Sequence, residues 1–222
     1  MALVFSSYYL NTPASAFGHT FLRFIKHPEG KNRRKYELLD YAANYAANVT
    51  TENSLMYAYQ GLTGGFKGKF SFLPYFYKIR EYNDFESRDL WSYKLNITEK
   101  QRSYVAAHLW EMKQTTFDYY YFTENCSYHM LTLLDVANPE WKLAERNPYF
   151  VVPVDTLRTT QQTPNMVKKI TFRPSKRRAA ITRVKRLNQA EDELFSRIIE
   201  GPDVPLNTRS GCGHGLCGLP IR

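Results

Sequence analysis

Apolar residues recur along this chain with two different periods. Leu3 to Tyr9, His19 to Ile25, Tyr36 to Ala42 and Leu90 to Leu95 are β-rich runs bounded by turn formers, and each reads as a strand. The second and third, separated by the polar stretch HPEGKNRR, read as an antiparallel hairpin. With its midpoint near Glu29 to Lys31, His19 falls opposite the region of Asp40 to Asn44. A turn is expected at Asn11 to Ala14.

Helical spacing appears elsewhere. Thr51 to Gly61 predicts a short helix, and GLTGGFKGKFSFLPYFYKIREY, with its glycine turns and alternating aromatics, predicts loop plus strand. Thr98 with Gln101 forms a capping box that opens a helix ending near Gln114, with Val105, Leu109 and Met112 on its apolar face. Thr123 is the expected N-cap of a further helix running to about Val136, with Glu124, Asn125 and Cys126 in its first turn. Cys126, Met130, Leu133 and Leu134 then share one buried side. VVPVDTLRT predicts an extended segment and a short helix, KKITFRP a last strand, and AITRVKRLNQAEDELFSRII a helix. No internal repeat is found, and the pattern is that of an α+β domain.

A chain of 222 residues is long enough to bury a core without metals or disulfides. Its three cysteines, Cys126, Cys212 and Cys217, exclude a disulfide framework and leave Cys126 as an odd thiol. Cys212, His214 and Cys217 have metal-ligand chemistry but tight spacing in a glycine-rich tail, so no metal is expected there, and no cofactor motif occurs. The net charge of +9 favours anionic partners, yet much of it lies between Lys168 and Arg186, where nine basic residues stand without an acidic one. Basic residues do not interleave with aromatics in a stacking pattern and no nucleic-acid motif is present, so nucleic acid is not expected as a partner. MALVFSSYYL lacks the charged region and cleavage site of a signal peptide, and no run approaches the ~20 apolar residues of a membrane span. Read alone, this predicts a soluble chain, unless export and membrane segments are missing from it.

The chemistry concentrates on FTENCSYHML. A thiol attacks only as its thiolate, and a helix N-terminus lowers its pKa through unsatisfied N–H groups and the helix dipole. The same amides can donate to an oxyanion. His129 lies three residues after Cys126 but is poorly placed on the helix to face the thiol, His27 is in a loop, His108 on a polar helix face and His214 in the tail. His19 opens an apolar strand after small residues, and Gly18 permits close approach of another element. It is the best base.

The stretches YLNTPASAFGHTFLRF, LLDYAANYAAN and FTENCSYHMLTLLD resemble the bacterial Lnb N-terminal periplasmic domain family, over most of residues 3 to 160. The order histidine, polar residue, cysteine is similar to that of circularly permuted NlpC/P60-type thiol enzymes, relatives of papain and of lecithin:retinol acyltransferase. The resemblance implies a papain-like core, an antiparallel sheet packed against helices, within residues 1–175, followed by a basic helical segment and tail over 176–222. It also implies a periplasmic or envelope location and thioester chemistry, with lipoprotein N-acylation among the family's activities. By matching motifs Cys126 is the nucleophile and His19 the base. Asn44 is the first choice for the orienting residue and Asp40 the second, while Asn125 and Ser127 would shape the oxyanion site. A phospholipid or lipoprotein substrate at an anionic membrane surface is one expectation. Peptidoglycan peptide hydrolysis is another, and a non-catalytic basic binding module a third.

Overall fold

In the computed structural model, residues 1–9, 16–26 and 36–200 are described. The turn expected at Asn11 to Ala14, the whole HPEGKNRR loop with His27, and His214, Cys212 and Cys217 lie outside them. The chain divides into two compact units, Met1–Ala179 and Ala180–Arg222.

The first unit is built on one antiparallel sheet of seven strands among the described residues: β1 Ala2–Ser6, β2 His19–Phe24, β3 Tyr41–Asn48, β4 Phe66–Pro74, β5 Leu90–Leu95, β6 Thr116–Tyr119 and β7 Val167–Arg173. Their spatial order is β6-β4-β3-β2-β1-β5-β7, which puts β2 in the middle. The helices are α1 Ser54–Thr63, α2 Tyr75–Lys78 running on as a π-helical stretch over Ile79–Phe85, α3 Glu99–Met112, α4 Cys126–Ala137, α5 Pro153–Gln162 and α6 Lys176–Val184. In the second unit α7, Gln189–Glu200, starts with a capping box of its own: the Glu191 N–H donates to Asn188 Oδ1, and the Asn188 N–H to Glu191 Oε2.

Alternation along the strands feeds two cores. Leu3, Leu22 and Ala43 face one side with Met130, Leu131, Leu133 and Leu134 of α4 and Val105 and Leu109 of α3. Their neighbours Val4, Phe21 and Ala42 face the other side with Tyr75 and Tyr82. A sheet covered on both faces explains why its central strands read as continuous apolar runs.

Several elements differ from expectation. The segment Tyr75–Phe85 is helical rather than extended, because the β-favouring aromatics continue past Pro74 and Tyr75 and Tyr82 turn inward onto the second face. The short strand β6, TFDY, was not expected and ends where a run of four aromatics begins, and Tyr36 to Asp40 lies before β3 rather than within it. α1 begins three residues late because Asn53 caps it, its Oδ1 accepting from the Leu55 and Met56 N–H groups. The Thr98–Gln101 capping box is present as expected.

Candidate active site

Three features of the backbone bring the site together. Gly18 sits at φ +88°, and a Cβ there would lie 2.6 Å from the Phe5 ring and 2.7 Å from the Ser6 carbonyl oxygen. Only glycine allows that close approach, which sets His19 at the start of β2. The β2–β3 ladder pairs Leu22 to Phe24 with Ala43 to Tyr41 and stops there. Ahead of it, side chains take over: the His19 Nε2–H donates to Asn44 Oδ1 at 2.6 Å. Finally, α4 packs over β2 and β3 with its N-terminus toward the start of β2.

The cap of α4 is Asn125, not Thr123. Its Oδ1 accepts from the N–H groups of Ser127 (2.8 Å) and Tyr128 (3.3 Å), and its Nδ2 donates to the carbonyls of Tyr121 (2.7 Å) and Val151 (2.6 Å). An amide can do both jobs at a buried position, whereas threonine has no pair of donors to give. Cys126 is therefore the first residue of the helix.

Cys126 is 3 % exposed. Burial pushes its thiol up, but the positive charge and hydrogen bond of His19, then the Thr20 N–H and hydroxyl, outweigh it and lower the pKa from 9.0 to about 7. The Thr20 hydroxyl lies 4.0 Å from Sγ. Because the amide oxygen of Asn44 can only accept, Nε2 carries the proton and Nδ1 is the nitrogen free for the thiol. The imidazole is walled by Phe21, stacked at 6.2 Å between centroids, and by Tyr82 at 5.9 Å.

Of the other expected site residues, Asp40 is not part of this arrangement. It accepts from Arg23 Nε at 2.8 Å and Nη2 at 2.5 Å and from the Lys26 N–H at 2.9 Å, next to the Phe24–Tyr41 pair at the far end of β2. Arg23 is itself buried, also binds Glu37 at 2.8 Å and lies over the Tyr75 ring. A buried guanidinium needs its counter-charge, and this commits Asp40. Asn125 and Ser127, expected to shape the oxyanion site, stand beside Cys126 with their side chains and amides engaged. The donors of Asn125 are spent on carbonyls, the Ser127 N–H is spent on the cap, and the Ser127 hydroxyl lies 4.0 Å from Sγ. Both hold the start of α4, where Cys126 lies.

His129 points into the aromatic cluster of Tyr45, Phe70 and Phe117, and burial lowers its pKa from 6.5 to about 4. His108 lies on an exposed face, 3.8 Å from Glu111. Sequence reasoning missed Thr20, although it directly follows His19, and Tyr119, which lines the cleft over Cys126 with Phe17, Gly18, Tyr121, Val152 and Pro153. Phe17, on the cleft, and Phe150 are both exposed and each meets Phe122 edge to face, at 5.9 and 6.2 Å.

The fold and site define an α+β domain that sets a thiol, an imidazole and an amide in sequence at a helix start. Residues 1–163 match the Lnb N-terminal periplasmic domain family, and the chain belongs to it. Membership places it among periplasmic domains of the bacterial envelope. Searches of curated proteins and of solved structures gave no significant match. Among the described residues no helix is long and apolar enough to cross a membrane.

Proposed function

We propose that this domain is a cysteine-dependent acyltransferase or hydrolase that works through a thioester, taking its acyl group from an envelope lipid and passing it to a lipoprotein amine or to water. The observation that carries the reading is the His19 Nε2–Asn44 Oδ1 hydrogen bond on an imidazole that also bonds the Cys126 thiol. This is the connectivity of a nucleophile, a base and an orienting group. The chain order of histidine, amide and cysteine supports a permuted NlpC/P60-like core.

In the reaction, the Cys126 thiol gives its proton to His19 Nδ1, and Sγ bonds the acyl carbon while the carbonyl π pair moves to oxygen. Collapse breaks the ester bond, and the His19 Nδ1–H protonates the departing alcohol. His19 then takes a proton from the incoming amine or water, which displaces the Cys126 thiolate. The exposed ring of Phe17 on the cleft, joined through Phe122 to exposed Phe150, supports an apolar acyl group. The basic segment supports an anionic surface less than its composition implied, since Arg173, Lys176 and Arg178 pair with Glu37, Asp84 and Asp89. Lys168 and Lys169 instead lie on the edge strand β7, where charge discourages strand addition.

Incubation with phospholipid vesicles, followed by intact-mass measurement, is expected to show a fatty-acyl increment on the wild type and none on Cys126→Ala. Muropeptide cleavage without such an increment would instead favour a peptidoglycan hydrolase. An increment that survives in Cys126→Ala rules out the nucleophile.

A further inference from the structure

Attack on a carbonyl puts negative charge on its oxygen, and a working site holds fixed donors where that charge develops. Cys126 supplies one. As the first residue of α4 its N–H has no intrahelical acceptor, and the Asn125 side chain caps the next two N–H groups rather than this one. A second donor is needed, and the expected groups are taken. The Asn125 amide is bound to the Tyr121 and Val151 carbonyls, the Ser127 N–H to the cap, and the Thr20 hydroxyl is directed at sulfur.

Tyr119 is left. It ends β6 opposite Phe66 of β4, and its ring is held against Tyr45 at 5.8 Å and Tyr121 at 6.2 Å. The residue is 7 % exposed and lines the cleft in which Cys126 lies. Among the described residues its hydroxyl makes no hydrogen bond, although it is not among the fully enclosed, unpartnered polar atoms. A buried phenol normally finds a partner, so a cleft-lining tyrosine whose hydroxyl has none is placed for something that arrives there.

We infer that Tyr119 is a catalytic residue, its phenol donating the second hydrogen bond, beside the Cys126 N–H, to the oxyanion of the acyl intermediate. Burial, and next the negative charge of the Cys126 thiolate, hold the phenol well above its ordinary pKa. It therefore stays protonated throughout the working range and donates without transferring its proton. This inference rests on the thioester reading above, and it can fail without it.

The test compares two reactions of the same thiol. Acylation by p-nitrophenyl octanoate builds an oxyanion, whereas alkylation by iodoacetamide displaces iodide and builds none. In Tyr119→Phe the release of p-nitrophenolate and the octanoyl increment on Cys126 are expected to slow about 10²-fold, the usual loss for one oxyanion donor. The alkylation rate is expected to stay within about twofold of the wild type, at the scale of ordinary context effects on a thiol. A misfolded fraction would lose acylation while its exposed thiol still alkylates, so both rates are followed on Cys126 in protein whose circular-dichroism spectrum and urea midpoint match the wild type, and their ratio is the readout. Tyr119→His, which keeps a ring donor, is expected to regain part of the ratio. An unchanged ratio in Tyr119→Phe overturns the donor role while leaving the thioester reading intact. A wild type that alkylates but takes no octanoyl group overturns both.

Discussion

At the scale of single residues, the site turns on how Cys126 becomes a thiolate inside a buried position. Burial alone would raise its pKa, so the lowered value depends on His19 first and Thr20 second. The rate of alkylation should accordingly rise with pH through a midpoint near 7, not near 9.0, when followed with iodoacetamide. His19→Ala removes the largest lowering influence and leaves the burial, so the midpoint should move upward past that of a free thiol. A midpoint unchanged by His19→Ala would mean that the imidazole does not face the sulfur. The pairing of these two residues was legible in the sequence because a histidine after Ala16, Phe17 and Gly18 and a cysteine at a helix start each carry a local signature. The choice between Asn44 and Asp40 was not. Both precede or lie in β3, and only the buried Arg23 shows that Asp40 is already committed.

At the scale of elements, α4 is the part on which the site depends, and Asn125 holds it. The side chain makes four hydrogen bonds at a 3 % exposed position, two to the helix and two to carbonyls of flanking segments. Asn125→Ala would remove a cap and strand the Tyr121 and Val151 carbonyls, a loss of about 2–4 kcal/mol in urea unfolding. A loss under about 1 kcal/mol, the size of an ordinary exposed cap, would show that water replaces those bonds. The helix itself was visible from Met130, Leu133 and Leu134, but its start was assigned two residues early. Threonine and asparagine are both good caps by propensity, and what separates them is the pair of carbonyls that only the folded chain brings near residue 125.

For the molecule as a whole, the sheet is closed over by α3 and α4, and this places His129 among Tyr45, Phe70 and Phe117 with its Nε2 lacking a partner. Its folded pKa of about 4 lies below the ordinary 6.5, so at neutral pH both folded and unfolded states carry it uncharged. As pH falls below 6.5 the unfolded chain gains a proton that the folded one refuses, and stability declines until about pH 4. The loss should reach about 3 kcal/mol for this one group. Comparing urea unfolding of wild type and His129→Leu at pH 7 and pH 4.5 isolates it: the variant should lose less stability on acidification. Equal losses would place the acid sensitivity on other groups. His129 sat near the nucleophile in sequence, and its exclusion as the base follows from the aromatic wall around it.

The sequence by itself determined the elements whose signals are local. Strand β5, the capping box of α3, the turn-capable approach to His19 and the thiol at the head of α4 are all set by residues within a few positions of one another, where propensity and hydrogen-bonding reach suffice. It also determined the family, through the stretches around His19, Asn44 and Cys126. Only the tertiary structure decided which polar residue meets the imidazole, that Asp40 serves Arg23, that Tyr75–Phe85 is helical, and that Tyr119 lines the same cleft as Cys126. Each of these depends on contacts between strands or segments far apart in the chain. A polar group in such a place takes its partner from whatever the fold delivers, because burial leaves it little water to turn to.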